Sequence, residues 1–195
     1  MMKKGWAWWL FLLLPLSVLA QEETLISGGF ESGGFGGPAW KMTLLDGDFG
    51  ILTGGRGGWI INHTFVIGGG GYNTLWDIKT GRQTADGVPL YLEMGYGGLE
   101  ITYIHTSDRL IHYTVNTLLG AGHARLEEHN PQIEYASDRF YVIEPGVNME
   151  INVYRWVRIC VGATYRFITG FETEDLSSTD LSGPSGVITL KFGVF

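Results

Sequence analysis

The chain has 195 residues, of which 45% are apolar, 13% aromatic and 17% charged, and it contains 30 glycines. That length suits one domain behind a short leader and is too small for separate cofactor and substrate lobes, while the apolar and aromatic content excludes a disordered chain. With 13 Lys+Arg against 20 Asp+Glu, the formal charge of -7 leaves no concentrated basic face, so nucleic acid is excluded as a partner.

Lys3 and Lys4 precede the apolar run from Trp6 to Leu16, and Val18 and Ala20 stand three and one positions before Gln21. The pattern reads as a secretory signal peptide over 1–20, cleaved after Ala20. Its apolar run falls short of the roughly 20 residues a membrane-spanning helix needs. Residues 21–34, glycine-rich with Glu22, Glu23 and Glu31, read as a flexible N-terminal segment. Cys160 is the one cysteine, which excludes an intrachain disulfide in this exported chain.

From residue 35 onward the repeating signal has a period of two. In 36–45, Trp40, Met42 and Leu44 alternate with Lys41 and Thr43; in 49–61, Phe49, Ile51, Trp59 and Ile61 oppose Gly54, Arg56 and Gly58. The stretch 65–76 contains Gly68 to Gly71 and does not show which face is which. In 90–105, Leu90, Leu92, Met94 and Tyr96 share a face opposite Glu93. Beyond Gly97 and Gly98 the apolar face passes to Leu99, Ile101 and Tyr103, opposite Glu100, and we expect a glycine bulge there. In 109–124, Ile111, Tyr113, Val115 and Leu119 oppose His112, Thr114 and Asn116. In 139–153 the row Tyr141, Ile143, Val147, Met149 and Ile151 opposes Glu144, Asn148 and Glu150. In 156–170, Val157, Ile159, Val161, Tyr165 and Phe167 oppose Arg158, Cys160 and Arg166; in 186–195, Ile188, Leu190, Phe192 and Val194 oppose Thr189 and Lys191.

These eight strands mostly exceed the five or six residues common in soluble sheets and match the 9–11 residues that cross a bilayer at a tilt. Connections after the second, fourth and sixth strands are tight, centred on Asn62-His63, Ser107-Asp108 and Tyr154-Arg155. Those after the third, fifth and seventh read as long loops over 77–87, 127–137 and 171–184, and they carry seven net negative charges on one rim. The fold expected over 35–195 is a closed, all-β, eight-stranded antiparallel up-and-down transmembrane barrel. Its apolar rows point outward, because so many large side chains would overfill a narrow lumen, and closure leaves no strand edge in lipid.

With the apolar rows outside, Lys41, Arg56, Glu93, Glu100, Glu144, Glu150, Arg158, Arg166 and Lys191 face the lumen and are expected to form a paired network. Glu144 and Glu150 are expected to meet Arg158 and Arg166 across the tight turn between them. Trp59, Tyr103, Tyr154, Trp156 and Phe195 lie near the short-turn end, where aromatic rings favour a membrane interface.

On its leader, strand number, loop asymmetry and final Phe195, the chain resembles the small eight-stranded outer-membrane barrels of Gram-negative bacteria, of the OmpX and OmpA transmembrane-domain type. The likeness is architectural. It implies a bacterial outer-membrane location and a C-terminal aromatic read by the assembly machinery, although Phe195 stands one position out of step with the apolar row that ends at Val194.

No nucleophile, base and acid fall into a recognisable catalytic motif with His112 or His123, and Gly54-Gly55-Arg56-Gly57-Gly58 lacks the Lys-Ser/Thr ending of a phosphate loop. His123, Glu127, Glu128 and His129 are the one local cluster with ligand chemistry, and their spacing fits no zinc signature. The reading is therefore a monomeric barrel without cofactor, metal or catalytic residue. It contacts outer-membrane lipid, and its acidic loops could meet basic partners or divalent ions. A lipid-modifying outer-membrane enzyme and a narrow ion or solute channel are the alternatives.

Overall fold

The computed structural model describes residues 31–129, 132–173 and 176–195, with backbone alone for 129 and 132–135. The leader and most of the segment before the barrel lie outside the described residues. Nine strands follow in order: β1 (Ser32–Leu45), β2 (Asp48–Ile61), β3 (Phe65–Thr74), β4 (Ile78–Gln83), β5 (Pro89–His105), β6 (Ile111–His129), β7 (Gln132–Tyr154), β8 (Val157–Thr169) and β9 (Gly183–Val194). A single turn of helix, α1 (Ser178–Leu181), precedes β9.

All pairings are antiparallel, and each strand pairs with its neighbours in sequence except at two places. β1 pairs with β9, and β3 pairs with β5 from Phe65↔Tyr103 to Asn73↔Gly95, which closes the sheet into a barrel. β4 pairs farther along the same edge of β5, with Ile78 opposite Leu92, so β3 and β4 form one stave interrupted at 75–77. The barrel thus has eight staves built from nine strands. The tight turns have the backbone that hairpins require: Asp46 and Gly47 have φ of 52° and 85°, and Asn62 and His63 have 48° and 52°.

Four features differ from the sequence reading. β1 already begins at Ser32. The expected loop 77–87 contains β4, and the expected loop 127–137 is mostly hairpin, since β6 and β7 stay paired out to His129↔Gln132. There is also no bulge at Gly97-Gly98, where the register of β5 against both β3 and β6 is continuous.

What changes along β5 is the side on which the apolar residues lie. Even-numbered residues point inward throughout: Leu90, Leu92, Met94 and Tyr96 are buried, and so are Glu100, Thr102 and Ile104. Odd-numbered residues point outward: Tyr103, Ile101 and Leu99 are exposed, and Glu93 is partly so. On this strand the half near the short turns is apolar outside and polar inside, and the other half is polar outside and apolar inside, whereas on β1 and β2 Leu44 and Phe49 stay exposed up to the Asp46-Gly47 turn. β6 inverts between Leu119 and His123, and β7 between Tyr141 and Arg139. Glu93 is for this reason an outer-wall residue and no part of the lumen, and Tyr96 is inside.

The interior is layered accordingly. Ile60, Val66 and Ile104 pack with Phe35 and Phe195 at the short-turn end. Charged and amide side chains fill the middle. A larger apolar layer, including Leu45, Leu92, Met94, Leu126 and Phe140, fills the far end. Glycines make room where strands approach closely: a Cβ on Gly98 would stand 2.2 Å from the Leu119 carbonyl oxygen.

Candidate functional site: a charge-paired lumen

Eight of the nine candidate lumen residues are buried inside the barrel, at 6% exposure or less: Lys41, Arg56, Glu100, Glu144, Glu150, Arg158, Arg166 and Lys191. Near the short-turn end Glu150 pairs with Lys191, and its other oxygen lies 3.5 Å from His112 Nε2 and 3.7 Å from Arg158 Nη1. His112 is itself buried, with Nδ1 3.2 Å from the Arg109 carbonyl oxygen. The Arg158 guanidinium also stacks 4.1 Å over the Phe195 ring. That ring is turned into the barrel mouth against Phe35, at 6.3 Å between centroids, and does not join the outer aromatic row. Trp59, Tyr103, Tyr154 and Trp156 are exposed on the outer wall.

One layer farther in, Arg56 pairs with Glu100, while the Asn148 amide donates to Asn116 at 2.8 Å. Above them Lys41 Nζ lies 2.6 Å from Glu144 Oε1 and 3.6 Å from the centroid of the Tyr72 ring. The Tyr96 hydroxyl donates to the other Glu144 oxygen at 2.8 Å, and Thr164 donates to Glu144 as well. Each buried carboxylate therefore meets a cation, as the cost of burying charge requires.

The pairing differs in part from the one expected. Glu150 does reach Arg158, but Glu144 is satisfied by Lys41, on a strand distant in sequence. Arg166 instead donates from Nε to the Leu181 carbonyl at 2.8 Å and from Nη2 to the Thr43 hydroxyl at 3.2 Å, and its Nη1 has no partner among the described residues. With Glu93 outside, five of the candidate cations and three of the candidate carboxylates lie in the lumen among the described residues.

Arg166 connects the lumen to its cover. Phe171, Leu176 and Leu181, from the segment between β8 and β9, are buried in the far apolar layer. Asp180 accepts from the Ser177 backbone N–H at 2.9 Å, and the Asp180 carbonyl accepts from the Asp46 N–H at 2.8 Å. Arg82, at the end of β4, clasps the Asp46 carboxylate at 2.7 and 2.8 Å and reaches Asp180 at 3.6 Å. The far end of the lumen is thus covered by apolar side chains and tied at its rim. At the short-turn end a cavity of about 730 Å³, bordered by Asn152, Tyr154, Arg158 and Phe195, opens outward.

The other histidines with described side chains are dispersed, and the side chain of His129 lies outside the described residues. His63 pairs with Glu31 at 2.6 Å beside a short turn, His105 is exposed at another, and His123 is exposed on the outer wall of β6. Glu127 is buried 3.5 Å from Arg125, away from any grouping with His123. A carboxylate cluster that the sequence did not suggest joins Asp77, Glu93 and Glu127, whose oxygens lie within 4.8 Å of one another. Arg125 supplies its counter-charge, with Nε 3.0 Å from Glu93. Three separate strands or turns bring these acids together, so no local spacing could have signalled them.

No family model matches the chain, and no curated protein matches it. Solved structures do resemble it. Neisserial surface protein A superposes with a TM-score of 0.55 at 13% identity, over 86% of this chain and 99% of that one. The N-terminal β-barrel domain of Pseudomonas aeruginosa OprF gives 0.50 at 10% identity, over 83% and 96%. Ail, the attachment invasion locus protein of Yersinia pestis, in complex with the heparin analogue sucrose octasulfate, gives 0.51 at 13% identity, over 84% and 98%. What is shared with them is the architecture of a closed eight-stranded barrel.

Proposed function

We propose that the chain is an exported outer-membrane barrel whose lumen is plugged, and that it acts as a structural or surface-interaction protein through its acidic far rim. The observation that carries this reading is the inversion along the wall. Large apolar side chains such as Trp59, Ile101, Tyr113, Val115, Val147 and Phe167 are 47–57% exposed on a continuous outer band. A soluble barrel would bury such a row. On β6 the outward band runs from Ile111 to Ala121, 11 residues, the length a tilted strand needs to cross hydrocarbon. Beyond it the outer face of β5 to β7 turns polar and their inner face apolar, as strands emerging into water should.

Two interior layers support the plug. An ion entering from the short-turn mouth would meet Glu150, Lys191, Arg56 and Glu100 already paired, and then the apolar layer covered by Phe171, Leu176 and Leu181. In this reading the leader is removed after Ala20, residues 21–34 lead into the first strand, and the barrel is a monomer. Exposed Asp86 and Glu172 and half-buried Glu128 remain on the far rim for basic partners or divalent ions.

Planar-bilayer recording tests the plug: purified barrel should show no steady conductance, and a stable ion-selective current would contradict it. Fractionation tests the location. The folded protein should sediment with outer membranes and migrate in detergent gels at a position that changes on boiling, whereas recovery in detergent-free buffer would contradict it.

A further inference from the structure

We propose that the outer wall carries a binding site for a phosphate-bearing lipid of the outer leaflet, formed by Asn73, His123 and Arg139 at the level where the wall turns polar. The inference rests on the membrane reading above and assigns a ligand to a surface that reading leaves unused.

The three residues lie on one cross-strand row. Asn73 of β3 is opposite Gly95 of β5, Gly95 is opposite His123 of β6, and His123 is opposite Arg139 of β7. All three side chains are on exposed, outward-facing positions. Gly95 is what lets the row close up. A Cβ there would stand 2.2 Å from Asn73 Oδ1 and 3.6 Å from His123 Cε1, so the amide leans over the glycine toward the imidazole. His123, Arg139, Arg125, Ser137 and Asp138 border a shallow hollow of about 340 Å³, and the Asp138 carboxylate is occupied by the backbone N–H groups of Arg139 and Glu172.

Arg139 and His123 differ from four of the other cationic groups of this half and share their free state with Lys79, which is exposed on β4 two strands away. Arg82 is held by Asp46, Arg125 by Glu93, Lys41 by Glu144 and Arg166 by the Leu181 carbonyl. Neither the Arg139 guanidinium nor the His123 ring has a partner among the described residues. A guanidinium and an imidazole N–H set side by side match the donor geometry that phosphate oxygens accept.

The row below supplies the rest of a lipid's shape. Gly71, Gly97, Ala121 and Tyr141 are successive register partners directly beneath Asn73, Gly95, His123 and Arg139. Three of those four positions carry a methyl group or less, so the wall under the donors is a shallow trough, bounded on one side by the 70% exposed Tyr141. A headgroup phosphate on the donors would direct its acyl chains down this trough and along Leu99 and Leu119. The row also lies at the end of the apolar band away from the short turns, which assigns the site to outer-leaflet lipid.

The test uses the full barrel in phosphatidylcholine nanodiscs doped with diphosphoryl lipid A or with the same glycolipid stripped of phosphate, and retained glycolipid is counted by native mass spectrometry. The wild type should retain the phosphorylated form preferentially. The double variant His123→Gln/Arg139→Gln should retain it about tenfold less, the loss of one to two charge-assisted contacts, with no change for the stripped form. Arg155→Gln, at the opposite rim, should behave as wild type. Equal retention of both glycolipids by the wild type, or undiminished retention by the double variant, would overturn the proposal. Boil-sensitive gel migration of each variant reports separately whether the barrel is folded, so failure of the lipid site is distinguishable from failure of the membrane reading.

Discussion

Lys41 and Glu144 meet at 2.6 Å although 103 residues separate them, and their side chains are 3% and 1% exposed. The pair joins β1 to β7 through the middle of the lumen, with Tyr96 and Thr164 satisfying the remaining carboxylate sites. Removing one member leaves the other charge buried alone. Lys41→Met should therefore destabilise the barrel by about 3–5 kcal/mol, whereas Lys41→Met/Glu144→Gln should recover much of that loss. Urea titration of the protein folded in liposomes measures both. A double variant as unstable as the two single losses added together would show that the pair does not act as a unit.

The inverted wall makes a second prediction, about position along the barrel. Ile101 lies near the middle of the apolar band, opposite Thr117 of β6, and is 47% exposed. Ile101→Arg should cost about 2–4 kcal/mol in the same titration, while His123→Arg, beyond the band, should cost about 0–1 kcal/mol. Equal costs would mean that both residues face the same solvent.

At the far mouth, Arg82 holds the turn bearing Asp46 to the helix bearing Asp180. The Arg82 side chain is 32% exposed, so Arg82→Gln should lower global stability by no more than about 1 kcal/mol. Its local effect should be larger. Thermolysin should nick the segment between β8 and β9 several-fold faster in the variant, and added salt should speed wild-type cleavage in the same direction by screening the clasp. Unchanged cleavage would show that Phe171, Leu176 and Leu181 hold the cover without it.

Much of the barrel was legible in the sequence because two solvents act on alternate residues of the same strand. In 141–153 and 157–167 one face is consistently apolar and the other carries Glu144, Glu150, Arg158 and Arg166, so strand identity and facing can be read together. Glu93 reads as a lumen residue in the sequence for a physical reason. Near Gly95 and Gly97 the surroundings of the outer wall change while the register does not, and the phase of the pattern flips as it would across a bulge. β4 leaves little signal in the sequence because Ile78–Gln83 is short, with only Ile78 and Thr80 buried on its inner face. Which cation serves which carboxylate was not readable at all. Closure of the barrel sets those distances, and the acceptor for Arg166 is a backbone carbonyl on a four-residue helix.

The most direct measurement is nitroxide accessibility along β6. Single cysteines at 113 to 125 would be labelled in a Cys160→Ala background and the barrel reconstituted in lipid. Labels at Tyr113, Val115, Thr117 and Leu119 should collide mainly with dissolved oxygen, those at His123 and Arg125 mainly with a water-soluble nickel chelate, and those at Thr114, Asn116 and Leu118 with neither. Chelate contact at Val115 and Thr117, or oxygen contact that peaks at Thr114 and Asn116, would contradict the outward apolar band.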